Sequence, residues 1–232
     1  MLARPAPFAT RPGSESFAGF CGRMEAAPIH EVTPAGPGAE TAALGFVLGL
    51  AARLQAGAGL IWAGEEAAFA EEGAPYPEGL AQFGIDPERL LVARARRREE
   101  ALWAAEQGLA VPGAVVICAL GAGKPLDLKA SRRLLLKAEH HGARCLLLKP
   151  EDGPTAAWTR WCVAPAPNQA EARELGAPAF HITLTRNRAG LAGASFILEW
   201  NAHDRVFRER SALAGDLAAA AGDRSSPARR RA

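Results

Sequence analysis

Short apolar runs alternate with helix-length segments over the first two thirds of the chain, and Gly, Pro or polar turns separate them. A short apolar run followed by a helix is typical of a buried parallel strand and its crossover helix. The pattern predicts five such strands, at residues 29–32, 59–63, 90–93, 114–120 and 144–148. It predicts helices at residues 44–54, 80–83, 99–109 and 127–141.

The pattern changes after residue 150. Residues 158–164, 180–185 and 194–200 alternate polar and apolar positions, and a Gly-containing turn at residues 187–193 separates the last two runs. Such alternation around a turn indicates an antiparallel hairpin. The chain is therefore predicted to form one α/β domain, with a mainly parallel central sheet flanked by helices and a C-terminal antiparallel hairpin.

Both ends of the chain lack this periodicity. Residues 1–27 are rich in Pro, Gly and Ser and are predicted to be a flexible leader, residues 28–203 the folded domain, and residues 204–232 a disordered basic tail. The leader carries Phe8, Phe17 and Phe20, which favour a docking arm over a purely solvated segment. The tail ends in three consecutive arginines, Arg229, Arg230 and Arg231.

Composition narrows the class of protein. An apolar share of 49%, a charged share of 22% and a net charge of +2 are those of an ordinary globular domain, so nucleic-acid binding would need a clustered basic patch. The 4 cysteines are widely spaced and indicate buried thiols in a reducing compartment. We find no signal peptide and no run of about 20 apolar residues, so we expect a cytoplasmic protein without a membrane span.

The stretch at residues 29–53 joins a strand to a helix through a Gly- and Pro-rich turn, as a phosphate-binding P-loop does. If the loop starts at Gly36-Pro37, its closing Gly-Lys-Ser/Thr falls on Thr41, Ala42 and Ala43. This register has no lysine for phosphate and no hydroxyl for Mg²⁺. The stretch is therefore predicted to be a degenerate P-loop that holds no nucleotide cofactor.

Four arginines, Arg94, Arg96, Arg97 and Arg98, follow the third predicted strand. The carboxyl ends of parallel strands are where such sheets bind ligands, so this cluster is a candidate surface for a partner or a nucleic acid. The alternative is a solvated helix start paired with Glu99 and Glu100. We interpret residues 121–124 (GAGK) as a surface turn, and find no metal-ligand spacing around His140 and His141.

The order of these segments resembles the RecA-type ATPase core, and several phrases resemble the ImuA family of RecA-like accessory proteins in translesion mutagenesis. The phrases are residues 76–80 (YPEGL), 84–91 (GIDPERLL), 100–106 (EALWAAE), 126–134 (LDLKASRRL) and 159–167 (TRWCVAPAP). In this comparison Glu65 stands at the position of the water-activating glutamate, and residues 115–120 form the Walker B strand without its aspartate. The loop at residues 151–157 (EDGPTAA) replaces a longer DNA-binding loop and has no basic residue.

The resemblance implies a non-catalytic RecA-like protein of SOS-induced translesion DNA synthesis. Its implied partners are an inactive Y-family-like polymerase homologue and an error-prone replicative-type DNA polymerase. RecA and a second copy of the chain are further candidate partners, and DNA binding is expected to be weak or indirect. Two alternatives stay open: an ATP-binding or ATPase RecA paralogue that regulates recombination, and a cell-division inhibitor of the SulA kind.

Overall fold

The computed structural model describes residue 17 and residues 25–55, 59–150, 153–168, 176–188 and 192–210. The strands of this part are β1 Ile29–Pro34, β2 Leu60–Glu65, β3 Leu90–Ala95, β4 Val115–Ala119, β5 Arg144–Leu148, β6 Thr159–Pro165, β7 Ala179–Asn187, β8 Ser195–Asn201 and β9 Val206–Arg210. Its α-helices are α1 Glu40–Leu54, α2 Glu66–Glu72, α3 Pro77–Gln82, α4 Arg98–Gly108 and α5 Leu128–His141. A 3₁₀ turn spans Pro87–Arg89.

The strands form one mixed sheet in the order β3-β2-β4-β5-β1-β6-β7-β8-β9. Strands β1 to β6 pair in parallel, and β6 to β9 pair antiparallel. Strands β1 to β5 are connected through helices, β5 and β6 are joined by a loop, and the antiparallel strands that come after β6 have no helix between them in the described residues. This arrangement confirms the predicted α/β fold with a mainly parallel sheet, although the antiparallel part has more strands than the predicted hairpin.

Each face of the sheet has its own apolar core. Helix α1 lies over β1 and the strands on either side of it, while α4 and α5 cover the opposite face. Rings of Phe46, Trp161, Phe180 and Phe207 meet beneath α1 at centroid distances of 5.4–6.4 Å. A Cβ atom at Gly49 would lie 2.3 Å from the Phe207 ring. Glycine at this helical position therefore leaves the space that the Phe207 ring occupies.

The folded unit extends beyond both predicted domain edges. Phe17, assigned to the flexible leader, is only 3% exposed and its ring meets those of Trp161, Phe196 and Phe207 edge-on. Strand β9 pairs with β8 and buries Phe207, although residues from 204 onward were assigned to the tail. The aromatic core therefore recruits side chains from both ends of the chain.

Candidate functional site

The junction of β1 and α1 has the strand–turn–helix geometry predicted from the sequence. Strand β1 ends at Pro34 and α1 begins at Glu40, with Gly38 in the left-handed region at φ +84° between them. The N-cap residue Ala39 makes no side-chain hydrogen bond to the first turn. Backbone N–H groups at the start of a helix favour an anion, as they do in a P-loop.

The start of α1 changes the register of the comparison with a P-loop. In a P-loop the lysine and the hydroxyl residue come where the loop passes into the helix. That point is occupied here by Glu40 and Thr41, whereas Ala43 is fully buried in the core and faces no ligand. A register two residues earlier than the predicted one, which takes Ala42 and Ala43 as the lost groups, also aligns the loop with the start of α1. In that second register Glu40 takes the lysine position and Thr41 the hydroxyl position.

Glu65, the candidate for water activation, lies at the end of β2 in an ion pair. Its Oε1 accepts from Arg98 Nε at 2.9 Å, and its Oε2 accepts from the Gly121 backbone N–H at 2.6 Å. Arg98 also donates to the carbonyl oxygens of Gly121 and Lys124. The structure thus joins three segments singled out in the sequence: Glu65, the arginine cluster and the GAGK turn. A carboxylate held by these donors has little freedom to accept a proton from water.

The other three arginines of the cluster lie on the surface. Arg94 pairs with Glu66 at 3.3 Å and lies 5.3 Å from the centre of the Phe69 ring. Arg97 pairs with Glu100 at 2.6 Å, and this contact raises the pKa of Arg97 and lowers that of Glu100. Arg96 is exposed, and its backbone N–H donates to Glu100 at 3.2 Å. Such contacts are expected if the arginines lie at a solvated helix start and pair with nearby glutamates. They are less expected if the arginines form a phosphate-binding site.

A cavity of about 140 Å³ opens at the carboxyl edge of the parallel strands. This edge is where open α/β sheets bind their ligands. Its walls are mainly apolar, with Leu44, Trp62, Phe69, Leu120 and Leu148 among the lining residues. The two acidic residues that line it are Glu40 and Glu71.

Sequence reasoning missed a buried charge cluster on the other side of β1. Glu31 is fully buried and lies 3.1 Å from Lys149 Nζ and 2.7 Å from Arg160 Nε. The hydroxyl of Thr155 donates to the same carboxylate. The available signal was the presence of charged residues in or directly after apolar strands, with Glu31 more than 100 residues away from its two cationic partners in the sequence. Buried charges need such partners to offset their desolvation.

This cluster fixes the short loop between β5 and β6. Arg160 donates to the carbonyl oxygen of Gly153, and Arg186 donates to that of Thr155 at 2.7 Å. The backbone N–H of Ala156 donates to Ser131 Oγ at 3.0 Å. The loop predicted to replace a DNA-binding loop is therefore tied to α5, β1 and β7 over residues 153–157.

The remaining predicted site residues fall into two groups. Phe17 contributes to the core and is not an exposed docking anchor. Phe8, Phe20, Arg229, Arg230 and Arg231 lie outside the described residues.

The cysteines and histidines of the described ranges supply no metal site. Cys118 and Cys145 are buried free thiols, and burial raises the pKa of Cys118 to about 12. Across the described ranges, no group of three or more His, Cys, Asp or Glu side chains is placed to hold a metal ion. None of the helices described in the structure is both long and apolar enough to cross a membrane.

Comparison with known proteins agrees with this architecture. No model of a protein family matches the chain. Among solved structures, the chain is similar to the RadB recombinase, with a TM-score of 0.53 and 14% identity over 88% of this chain and 100% of the other. At that identity the likeness shows the fold alone, which is RecA-like. The chain is also 32% identical, over 182 residues, to Protein ImuA of two Caulobacter vibrioides strains, NA1000 / CB15N and ATCC 19089 / CIP 103742 / CB 15. The match covers 71% of this chain and 71% of each relative. With this identity and coverage, and with a RecA-like sheet, the chain belongs to the ImuA family.

Proposed function

We propose that the chain is a non-catalytic RecA-like accessory protein of SOS-induced translesion DNA synthesis and mutagenesis. It acts by binding polymerase-type partners, namely an inactive Y-family-like polymerase homologue and an error-prone replicative-type DNA polymerase. Membership of the ImuA family supports this role. The observation that carries the non-catalytic part is Glu40 at the first position of α1, where a P-loop needs a cation.

A carboxylate at this position acts against phosphate binding. The helix N-terminus favours one negative charge, and the Glu40 side chain already supplies it. A nucleotide triphosphate would bring further negative charge to the same place without the lysine that offsets it. Lys149 lines the same cavity, but its ammonium pairs with Glu31 at 3.1 Å, so phosphate would compete with a buried carboxylate.

The ATPase alternative draws on Thr41 and Glu65, which provide a hydroxyl and a carboxylate at the expected edge of the sheet. It requires Glu65 to leave Arg98 and the Gly121 N–H before activating water. The SulA-like alternative, inhibition of cell division, has no specific contact in its favour. Binding to RecA or to a second copy of the chain fits the same non-catalytic scheme.

Co-purification tests the proposed function. The full chain is co-expressed with a Y-family-like polymerase homologue of the same organism, and separately with a cell-division GTPase as the control bait. We expect a stable complex with the polymerase homologue that forms equally well with and without MgATP. Capture of the GTPase alone, or a complex that forms only with ATP, would overturn the proposal in favour of one of the two alternatives.

A further inference from the structure

The cavity at the carboxyl edge of the sheet is the right size for one side chain. Its volume of about 140 Å³ resembles that of an engineered apolar cavity that binds benzene. Apolar side chains of α1, α2, β2 and the ends of β4 and β5 form its walls. A leucine side chain or an aromatic ring would therefore fill the space.

The mouth of the cavity is acidic. Glu40 comes from the first turn of α1 and Glu71 from the last turn of α2, so the two carboxylates belong to different walls. Neither forms an ion pair with another residue in the part of the chain that the structure describes. The nearby cations are engaged elsewhere, since Lys149 pairs with Glu31 and Arg94 with Glu66. The site therefore complements a ligand that is apolar at its tip and positively charged beside it.

Trp62 adds a third feature. This wall residue is 3% exposed, and its indole Nε1–H finds no hydrogen-bond partner among the described residues. Buried donors are normally satisfied, and a peptide carbonyl placed next to this donor would satisfy it. A peptide backbone provides carbonyl acceptors at every residue.

We infer that this cavity is the receptor for a basic-apolar segment of a protein partner. One Leu- or Phe-sized side chain enters between α1 and α2, and adjacent Lys or Arg residues of the segment pair with Glu40 and Glu71. This inference rests on the proposed function, because it assigns the surface by which a partner is held. The lost nucleotide site would then serve as a docking pocket.

Two variants separate the apolar and the charged parts of the site. Ala122 is exposed and lines the cavity, so Ala122→Phe should close the mouth without altering the core. Glu40→Gln with Glu71→Gln removes both charges. The matched controls are Ala81→Phe, at an exposed position of α3, and Glu139→Gln, on the exposed face of α5, since neither residue lines the cavity.

The first measurement uses a small probe, phenethylammonium, which combines an aromatic ring with a cation. Its binding is followed by the indole N–H resonance of Trp62 and compared with uncharged 2-phenylethanol and anionic 3-phenylpropionate. We expect the cation to bind most tightly and the anion most weakly. In the variant with both Glu40→Gln and Glu71→Gln, the three probes should bind with equal affinity. Ala122→Phe should abolish binding of all three. Equal binding of the three probes to the unmodified chain would overturn the inference.

The second measurement is the Kd of the complex with the polymerase homologue. We expect Ala122→Phe and the Gln variant each to weaken it roughly tenfold or more, as loss of a central anchor does, and the controls to leave it unchanged. A complex that forms normally with both cavity variants would overturn the inference and leave the proposed function intact. Absence of any complex with the unmodified chain would instead contradict the proposed function, and the probe order would then decide whether the pocket takes a basic-apolar ligand. Probe binding combined with an unaffected complex would make the cavity a small-molecule site and overturn its assignment to the partner.

Discussion

His30, on the central strand β1, is a titratable residue with almost no access to water. Its Nδ1 lies 2.8 Å from the hydroxyl of Thr159, and its Nε2 has no hydrogen-bond partner among the described residues. Burial, and secondarily the charge of Arg144, lower the pKa of His30 from 6.5 to about 4. The folded protein therefore holds His30 neutral at pH values where the unfolded chain protonates it.

Protein stability should consequently fall as the pH drops through the window from 6.5 to about 4. Above 6.5 both states are neutral and His30 has no effect, whereas within the window only the unfolded state gains a proton. A difference of this size corresponds to about 3 kcal/mol of unfolding free energy. The measurement is urea unfolding from pH 7 to pH 4 for the unmodified chain and His30→Gln. We expect a smaller loss in the glutamine variant, and identical pH dependence would contradict the assignment.

Variants at Glu65 and Glu66 compare the loss of stability when a mostly buried ion pair is removed with the loss when an exposed one is removed. The Glu65 side chain is 11% exposed and its partner Arg98 16%, whereas Glu66 and Arg94 are each 53% exposed. Glu65→Gln leaves a mostly buried guanidinium without its counter-charge and should lower the unfolding free energy by about 1–3 kcal/mol. Glu66→Gln should change it by less than about 1 kcal/mol. Equal effects in denaturant unfolding would mean that the Glu65 contact is solvated.

At the scale of whole elements, Phe17 belongs to the aromatic cluster beneath α1. Phe17 stacks edge-on against three rings, and its backbone N–H donates to Glu209 of β9 at 2.8 Å. It therefore connects a segment far upstream of β1 to the edge of the antiparallel strands.

Phe17→Ala should lower the unfolding free energy by about 3–5 kcal/mol, because it leaves a cavity among aromatic side chains. Tyr76→Ala is the control, since that aromatic side chain is 64% exposed and should cost little. The measurement is the melting temperature of both variants in thermal unfolding. A melting temperature unchanged by Phe17→Ala would restore the original prediction of a leader that the fold does not need.

The sequence pattern predicted the parallel strands well because each is short, apolar and bounded by turns. Strand β4, Val115–Ala119, is fully buried and shows this most clearly. Strand β9, Val206–Arg210, was missed because Phe207 is its only fully buried residue and the rest is polar or half-exposed. Phe17 was missed for a similar reason, since one aromatic residue outside any periodic segment gives no pattern.

The site was harder to predict than the fold. The absence of a lysine could be read directly from the sequence, but the register of the loop depends on where α1 begins. Ala39 caps the helix without a side-chain signal, so the start at Glu40 was not evident. The contacts of Glu31 with Lys149 and Arg160 depend on strand order, which brings together β1, β5 and β6 from distant parts of the chain.

At the scale of the whole molecule, the protein combines a RecA-like sheet with charged groups that bear on the proposed loss of nucleotide binding. Glu40 begins α1, Glu65 is held by Arg98, and the loop after β5 is tied down by the Glu31 cluster. We therefore expect no ATP-driven work on DNA. A mainly apolar cavity with Glu40 and Glu71 among its lining residues lies at the same edge of the sheet.

Steady-state phosphate release from MgATP tests whether the protein is non-catalytic. It is measured on the full chain alone, with single-stranded DNA, and with the polymerase homologue present, beside Glu65→Gln as the matched variant. We expect release at the level of the buffer blank in every condition, for both proteins. Saturable release by the unmodified chain that disappears in Glu65→Gln would show a working ATPase and contradict this expectation.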